Sequence, residues 1–402
     1  MKTRYGASPW IHQFPDSRVP DYPRFRGERT CDVVIVGGGL TGCAIAYACA
    51  MAGISTVVVE GDRIGRGSSG RSPGLLLPEP GPSFRDLAAM HGVRVTRRIF
   101  DGWRHGALDA AALLRRTGIK CDLQPVDLVT VASRDGEKAL RREAGARADA
   151  GIDARLVTTR QAGSLVRMDV PIGLRESDTF VLDPYRATVG LASAATKRRV
   201  KIFEKTPVTQ VRTGRHDVEI VTAGGVVRAQ TVIVATGSAT PVFKPLMRHF
   251  KRRSSYTVLT QPVPAPVRKA LFGAAVAVLA DRRHLHWTKD FRLVVTGADQ
   301  DEVSPRLRDG VLIQRTGQLM YELLTMYPAI SGLVPEYGWD VSYGETADGV
   351  MYIGPHRNFP RHLFAIGGRR DGVTGSFLAA RILVRALRES PEKGDDVFAF
   401  TR

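Results

Sequence analysis

The clearest chemistry in this chain sits near its start, where Gly37, Gly39 and Gly42 fit the pattern G-x-G-x-x-G and Glu60 follows about twenty residues on. Gly37 permits a tight turn. Gly39 lets backbone approach a diphosphate with no Cβ in the way, and Gly42 lets a helix pack against a strand. The helix opening at Leu40 and Thr41 then offers unpaired N–H groups and a partial positive charge to the diphosphate. Glu60 can accept from both hydroxyls of a ribose, and its charge disfavours a 2′-phosphate. Together these residues predict a site for an adenine dinucleotide and leave open whether its other half is a flavin or a nicotinamide.

The elements that must hold these residues are legible around them. Cys31 to Gly37 is an apolar, β-branched run of the kind buried on both faces of a parallel sheet. Leu40 to Met51 is an Ala-rich helix stopped at Gly53, and Ser55 to Glu60 is a second buried strand. Strand, helix and strand fit within the roughly thirty residues of a βαβ unit. Gly61 to Gly81 reads as loop. Helices are predicted over Phe84 to Thr117, Asp135 to Ala150, Pro184 to Arg199, Asp309 to Tyr327 and Val373 to Glu389. Leu128 to Ala132, Lys201 to Glu204, Val208 to Arg212, Phe291 to Thr296 and Leu363 to Gly367 read as strands. Glu219 to Val221 and Val226 to Ala229 form a hairpin, and Thr231 to Gly237 is a third buried parallel-type strand. Pro9 to Arg29, with its spaced prolines, reads as an extended arm over the body.

Composition narrows the function classes. The 402 residues suggest two or three domains, and 43% apolar with 24% charged residues excludes a wholly disordered chain. No run approaches the ~20 apolar residues of a membrane span, and the first thirty residues lack the apolar block of a secretory signal. Cys31, Cys43, Cys49 and Cys121 form no CxxC pair and have no histidine at metal-ligand spacing, so neither a metal site nor a disulfide framework is expected and a cytoplasmic setting is. The net charge of +18 comes from arginines spread along the chain, with only eleven lysines among the 58 cations. Nucleic-acid binders concentrate charge on one face or tail, so no nucleic-acid partner is expected.

After Glu60 the chain continues Gly61-Asp-Arg63-Ile-Gly-Arg-Gly-Ser68-Ser69-Gly70-Arg71-Ser72-Pro-Gly74. Further on come Thr206-Pro-Val208, Ala235-Thr236-Gly237, the tract Tyr343 to Pro355, and Ala365-Ile-Gly367-Gly368-Arg-Arg370-Asp-Gly372-Val373-Thr374. In these blocks the chain resembles the FAD-dependent amino-acid and amine oxidases of the D-amino-acid oxidase and glycine oxidase superfamily, nearest to the branch containing γ-glutamylputrescine oxidase. The resemblance spans nearly the whole chain. It implies an α/β fold: a discontinuous Rossmann-like FAD-binding domain with an inserted α+β substrate domain on a mixed or antiparallel sheet. The corresponding boundaries are an arm over 1–29, an FAD-binding domain from 30–85, 150–240 and 350–402, and a substrate-binding domain from 86–149 and 241–349.

The resemblance also implies roles. Ser68 to Gly74 and Leu75 would run under the flavin diphosphate and ring, Gly61 and Arg63 would also belong to the cofactor site, and Val208 would contact the adenine. Ala235 to Gly237 would pass beside the pyrophosphate. Gly367, Gly368 and the helix opening at Gly372, Val373 and Thr374 would face the pyrimidine end of the ring, where a helix N-terminus stabilises the charge of reduced flavin. Hydride then leaves the carbon next to a neutral amine for flavin N5, an imine forms and hydrolyses, and O2 or an electron carrier reoxidises the flavin. Arg370 occupies the place of an arginine that grips a substrate carboxylate in glycine oxidases. Close relatives often have Tyr-Gly-Gly-Asn there, whereas this chain reads Gly368-Arg369-Arg370-Asp371. His286 on a substrate-domain strand is a proton-transfer candidate, Trp287 a cavity wall, and Tyr352 a residue near the ring. With no His or Cys in Gly67 to Gly74 or Gly344 to Pro355, noncovalent FAD is expected. The competing readings are a flavin hydroxylase, which shares the first βαβ unit, and an accessory subunit carrying an inert flavin. The oligomeric state is left open.

Overall fold

The computed structural model describes residues 2–273, 275–278, 283–368 and 372–402. Two sheets organise it. The first has eight strands in the order Tyr352–His356, Phe359–Ile366, Gly225–Gly237, Gly27–Val36, Thr56–Val59 and Lys201–Phe203, with Val218–Thr222 and Val208–Thr213 added beside Gly225–Gly237. Its centre is parallel, and Tyr352–His356 closes one edge antiparallel.

The predicted two-sided burial is what the central strand shows. Val33 and Ile35 enter one core with the helix Leu40–Met51, while Val34 and Val36 enter another with Val57, Val59, Val232 and Val234. Alternate residues of one strand thus feed two cores, so no polar face is needed. Leu40–Met51 is buried nearly all round, and its alanines let Pro184–Thr196 and Val373–Leu387 pack closely on either side. Gly225–Gly237 unites two predicted elements in one strand: its first residues pair with the hairpin partner, and Gly225 to Val234 run parallel to Gly27–Val36.

The second sheet has ten strands. Its order is Arg4–Tyr5, Pro335–Glu345, Lys251–Thr260, Leu293–Asp301, His284–Trp287, Ala275–Val278, Gln124–Val131, Gly173–Val181 and Leu75–Leu76, with Arg155–Val157 paired to Gly173–Val181. Most pairs are antiparallel; Arg4–Tyr5 with Pro335–Glu345 and Ala275–Val278 with Gln124–Val131 are parallel. The helix Arg308–Met326 packs on one face.

Four segments depart from the expected partition. Arg155–Val157 and Gly173–Val181, placed by sequence with the nucleotide-binding part, pair in the second sheet because Gly173–Val181 finds its partner in Gln124–Val131. Leu75–Leu76 joins that sheet too. Conversely, the helix Val93–Arg116 lays Ile99, Phe100, Trp103, Ala107 and Ala110 into the core of the nucleotide layer, since its apolar stripe matches the face of Val373–Leu387. The arm is not merely extended. It adds Arg4–Tyr5 to the second sheet, turns once as the helix Pro9–His12, and ends where Gly27–Val36 begins. All four cysteines are buried and unpaired with one another. Among the described residues no helix is long and apolar enough to cross a membrane.

Candidate functional site

The turn between Gly27–Val36 and Leu40–Met51 opens one wall of a groove. Gly37 takes φ +111°, a conformation L side chains rarely adopt, and a Cβ there would press on the Ala235 carbonyl. A Cβ at Gly42 would overlap the Gly37 carbonyl, so both glycines are required by backbone approach. At Gly39 a Cβ would lie 2.9 Å from Ser69 Oγ. That hydroxyl accepts the Leu40 N–H at 2.8 Å, which satisfies one orphan donor of the helix N-terminus with an oxygen from the next loop.

The groove has two chambers. The first, about 1260 Å³, is lined by Gly37, Gly39, Glu60, Gly61, Val208, Ala235 and their neighbours. The second, about 980 Å³, runs on to Ser72, Gly367, Gly368, Gly372 and Val373. Leu40 faces the second chamber, whereas Thr41, Ser68, Ser69, Thr236 and Gly237 line both and join them into one channel. Two helix N-termini meet at the junction, where Thr41 Oγ1 and Ser376 Oγ lie 2.8 Å apart.

Glu60 is anchored where its second lone pairs face the first chamber. Its Oε2 accepts the Gly38 N–H at 2.6 Å and its Oε1 the Asp62 N–H at 2.8 Å. Burial raises its pKa, and these two backbone bonds oppose that shift. The neighbouring Glu204 accepts the Ile64 N–H at 2.7 Å and braces the same loop. A backbone cradle that side chains would fill, an N-terminal helix end and a ribose-ready carboxylate therefore fit an adenine dinucleotide.

The other predicted cofactor residues shape this wall from behind. Gly70 packs beneath Ile11, and Gly74 under the Leu182 carbonyl. Arg71 points into the second sheet and reaches Asp340 at 3.4 Å, where Arg308 also bonds it. Leu75 is a buried strand residue paired with Val181. Thr374 donates its hydroxyl to the Leu77 carbonyl at 2.8 Å. Arg63 does not line either chamber.

The proposed catalytic residues are scattered. Arg370 lies outside the described residues, as do Arg369 and Asp371. His286 is buried in the strand His284–Trp287, where its ring hydrogen-bonds the Pro73 carbonyl. Burial and then the charge of His284 push its pKa down to about 3, so it is a neutral imidazole. His286 and Trp287 line a separate cavity of about 1220 Å³, which shares no wall residue with the groove. Trp287 donates to the Phe272 carbonyl at 2.9 Å. Tyr352 stacks on Phe400 at 4.5 Å beneath the Arg402 guanidinium; its neighbour Met351, instead, lines the second chamber.

Several wall residues escaped the sequence reading. Gly65, Gly67 and Thr240 to Phe243 border the first chamber. Leu77, Glu79, Pro80, Trp103, Val341 to Tyr343 and Ser376 border the second. Glu79 is held from behind by a buried ion cluster. Arg147 Nη2 bonds Glu79 at 2.8 Å, Nε bonds Glu143 at 2.7 Å and Nη1 bonds Glu176 at 2.8 Å. The guanidinium also lies 5.0 Å over the Phe100 ring. Glu143 further caps the helix Phe84–His91, accepting the Phe84 and Arg85 N–H groups. Burial disfavours the charge on Arg147, but the three carboxylates more than reverse that and push its pKa up.

The pattern defining the FAD-dependent oxidoreductases matches residues 32–386 of the chain. The gamma-glutamylputrescine oxidoreductase of Escherichia coli strain K12 is 26% identical over 387 residues, covering 91% of this chain and 85% of that protein. Glycine oxidase of Bacillus subtilis strain 168 is 25% identical over 384 residues, with 90% and 95% covered. The crystal structure of glycine oxidase from Geobacillus kaustophilus shares the fold with a TM-score of 0.76 at 20% identity, covering 93% of this chain and 99% of that one. The family match includes most of the segments that build the groove, from the glycine turn to the helix Val373–Leu387. The chain belongs to the DAO family of FAD-dependent oxidoreductases.

Proposed function

We propose that this flavoprotein oxidises the C–N bond of an amine or amino acid to an imine that hydrolyses, with O2 or an electron carrier as final acceptor. The observation that carries the reading is the continuity of the groove: a chamber suited to adenosine diphosphate opens into a second one ending on the helix N-terminus at Gly372 and Val373. Relatives named glycine oxidase and gamma-glutamylputrescine oxidoreductase support the substrate class. Bound FAD would supply the two-electron acceptor.

The chain's own residues do the rest. Gly37, Gly39 and the N–H groups at Leu40 and Thr41 would hold the diphosphate, Glu60 the ribose, and the helix at Val373 the electron-rich end of the ring. Leu77, Trp103, Val341 and Met351 exclude water, which keeps an amine near the ring unprotonated. Arg370 would grip a carboxylate where the substrate has one. No His or Cys lines the groove among the described residues, which supports noncovalent FAD. The nucleotide sheet would serve as the FAD-binding part and the larger sheet as the substrate-binding part, and four unpaired cysteines are in keeping with a reducing cytoplasm.

The test is an anaerobic screen of amino acids, polyamines and N-methyl amines for bleaching of the bound flavin, followed by an oxygen pulse. Bleaching by an amine and recovery with oxygen agree with an oxidase. Recovery only with an artificial acceptor indicates a dehydrogenase, and no bleaching by any amine refutes the substrate class. Flavin released intact by acid precipitation agrees with noncovalent binding, and flavin retained on the pellet refutes it.

A further inference from the structure

Glu79 is not among the residues assigned above to the dinucleotide, yet it stands on the wall of the second chamber. Among the described residues that line this chamber it is the only charged side chain; the others are small, hydroxylic, apolar or aromatic. Its setting is built rather than incidental. Oε2 is fixed at 2.8 Å by Arg147, and the two side chains are 12% and 5% exposed. Oε1 bonds no described residue, which leaves a carboxylate oxygen oriented by a buried guanidinium and available to a ligand.

Charge balance points the same way. One guanidinium serves Glu79, Glu143 and Glu176, so the cluster carries more acid than base. Glu143 already receives two backbone N–H groups, and Glu176 is sealed away from solvent. Burial, and then the charge of Glu79, push the Glu176 carboxyl up to about 8, so it keeps its proton at neutral pH. One negative charge still lacks a partner, and Glu79 is the member of the cluster that faces the groove. A cation there would be strongly held, because a carboxylate leaving water for an enclosed cleft needs compensation. Trp103 and Tyr343, aromatic residues of the kind that attract an ammonium, line the same chamber, as do Leu77, Val341 and Met351, which suit a methylene chain.

We propose that Glu79 selects substrates carrying a second cationic group, binding that group at a distance from the carbon that is oxidised. This rests on the amine-oxidising reading and sharpens it. The amine that reacts must be neutral, whereas the remote one stays protonated and pairs with Glu79. The preferred substrate class is then a diamine, a polyamine or an amino acid with a basic side chain, rather than a simple monoamine.

The experiment compares FAD-loaded wild type, Glu79→Gln and Glu79→Asp. Glutamine keeps an acceptor for Arg147 but no charge, and aspartate restores the charge. The dissociation constant and limiting rate of anaerobic flavin reduction are measured for α,ω-diamines of three to six carbons, each against the monoamine of equal length. A bis-quaternary ammonium of similar span, which cannot be oxidised, is titrated by the perturbation of the flavin spectrum. The expected result is a wild-type preference for the dication that falls about ten- to a hundredfold in Glu79→Gln, the scale of one lost charged hydrogen bond. In Glu79→Asp most of it returns, and the limiting rates move far less than the binding. Absence of a dication preference in the wild type, or an equal preference in Glu79→Gln, overturns the proposal. Should no amine reduce the flavin, the proposed reaction fails. The bis-ammonium titration then still decides on Glu79: a wild-type response lost in Glu79→Gln supports a cation site, and no wild-type response excludes one.

Discussion

Replacing Arg147 by methionine strands the carboxyl groups of Glu79, Glu143 and Glu176 in a place water barely reaches. The guanidinium makes bonds of 2.7, 2.8 and 2.8 Å to Glu143, Glu79 and Glu176 and is 5% exposed. Methionine keeps most of the contact with Phe100, so the packing loss is minor and the change is chiefly electrostatic. Removing one partner of a buried ion pair costs about 3–5 kcal/mol, because the remaining charge is uncompensated. At roughly 2.1 cal/mol/K per residue, a cooperative transition of all 402 residues shifts by about 1.2 °C per kcal/mol, a fall of about 4–6 °C. The carboxylates can relieve part of the cost by taking up protons. Proton uptake is favoured at low pH, so that relief is greatest there and is lost as pH climbs. The deficit relative to wild type is therefore larger at pH 8 than at pH 5. Calorimetry of the holoprotein at pH 5, 6.5 and 8 measures it. A fall of under about 1 °C at pH 8, or a deficit larger at pH 5 than at pH 8, would refute the account of the cluster.

Glu176→Gln tests the same cluster from the other side. With its pKa raised from 4.5 to about 8 by burial and Glu79, Glu176 contributes stability that is complete below pH 4.5 and fades as pH rises to 8. Glutamine removes that slope, so the variant's Tm should fall less between pH 6 and 9; parallel profiles would exclude a protonated Glu176. Gly39→Val should abolish flavin loading, since even a Cβ lies 2.9 Å from Ser69 Oγ and the added methyls would occupy the diphosphate's space. A yellow, fully loaded variant, read from the ratio of visible to ultraviolet absorbance, would contradict it. Arg370→Ala should raise KM for carboxylated substrates with a cost in kcat/KM of about 1.5–3 kcal/mol, and leave substrates lacking a carboxylate nearly unchanged. Equal kinetics on both substrate types would remove Arg370 from substrate binding.

What could be read from the chain was whatever local pattern dictates. The glycine turn, the flanking strands and Glu60 were visible because each requirement falls within thirty residues, and these residues line one groove. Gly173–Val181 was harder. Arg175, Glu176 and Asp178 interrupt its apolar pattern, and only pairing with Gln124–Val131 makes it a strand. The pair Glu143 and Arg147 shows helical spacing, but nothing local says that it is buried or that Glu79 and Glu176 converge on it from 68 and 29 residues away. Glu79 itself looked like one acid in a proline-rich loop. His286 was rightly placed on a strand of the larger sheet, yet period two says which residues share a face and not which cavity that face meets.

The arm at the start of the chain has an implication for biogenesis. Arg4–Tyr5 needs Pro335–Glu345, Trp10 donates to the Ser72 carbonyl beneath the groove, and Gly27–Val36 is flanked on one side by a strand made some two hundred residues later. On a ribosome emitting residues from one end, the first βαβ unit can collapse early, but the arm's docking strand Pro335–Glu345 and the helix Val373–Leu387 arrive only about three hundred residues later. Capture of the vitamin-derived group is thereby deferred until Pro335–Glu345 and Val373–Leu387 have been made, and pairings of such long range make that assembly slow. The groove for the flavin is therefore complete only after segments more than three hundred residues apart have met.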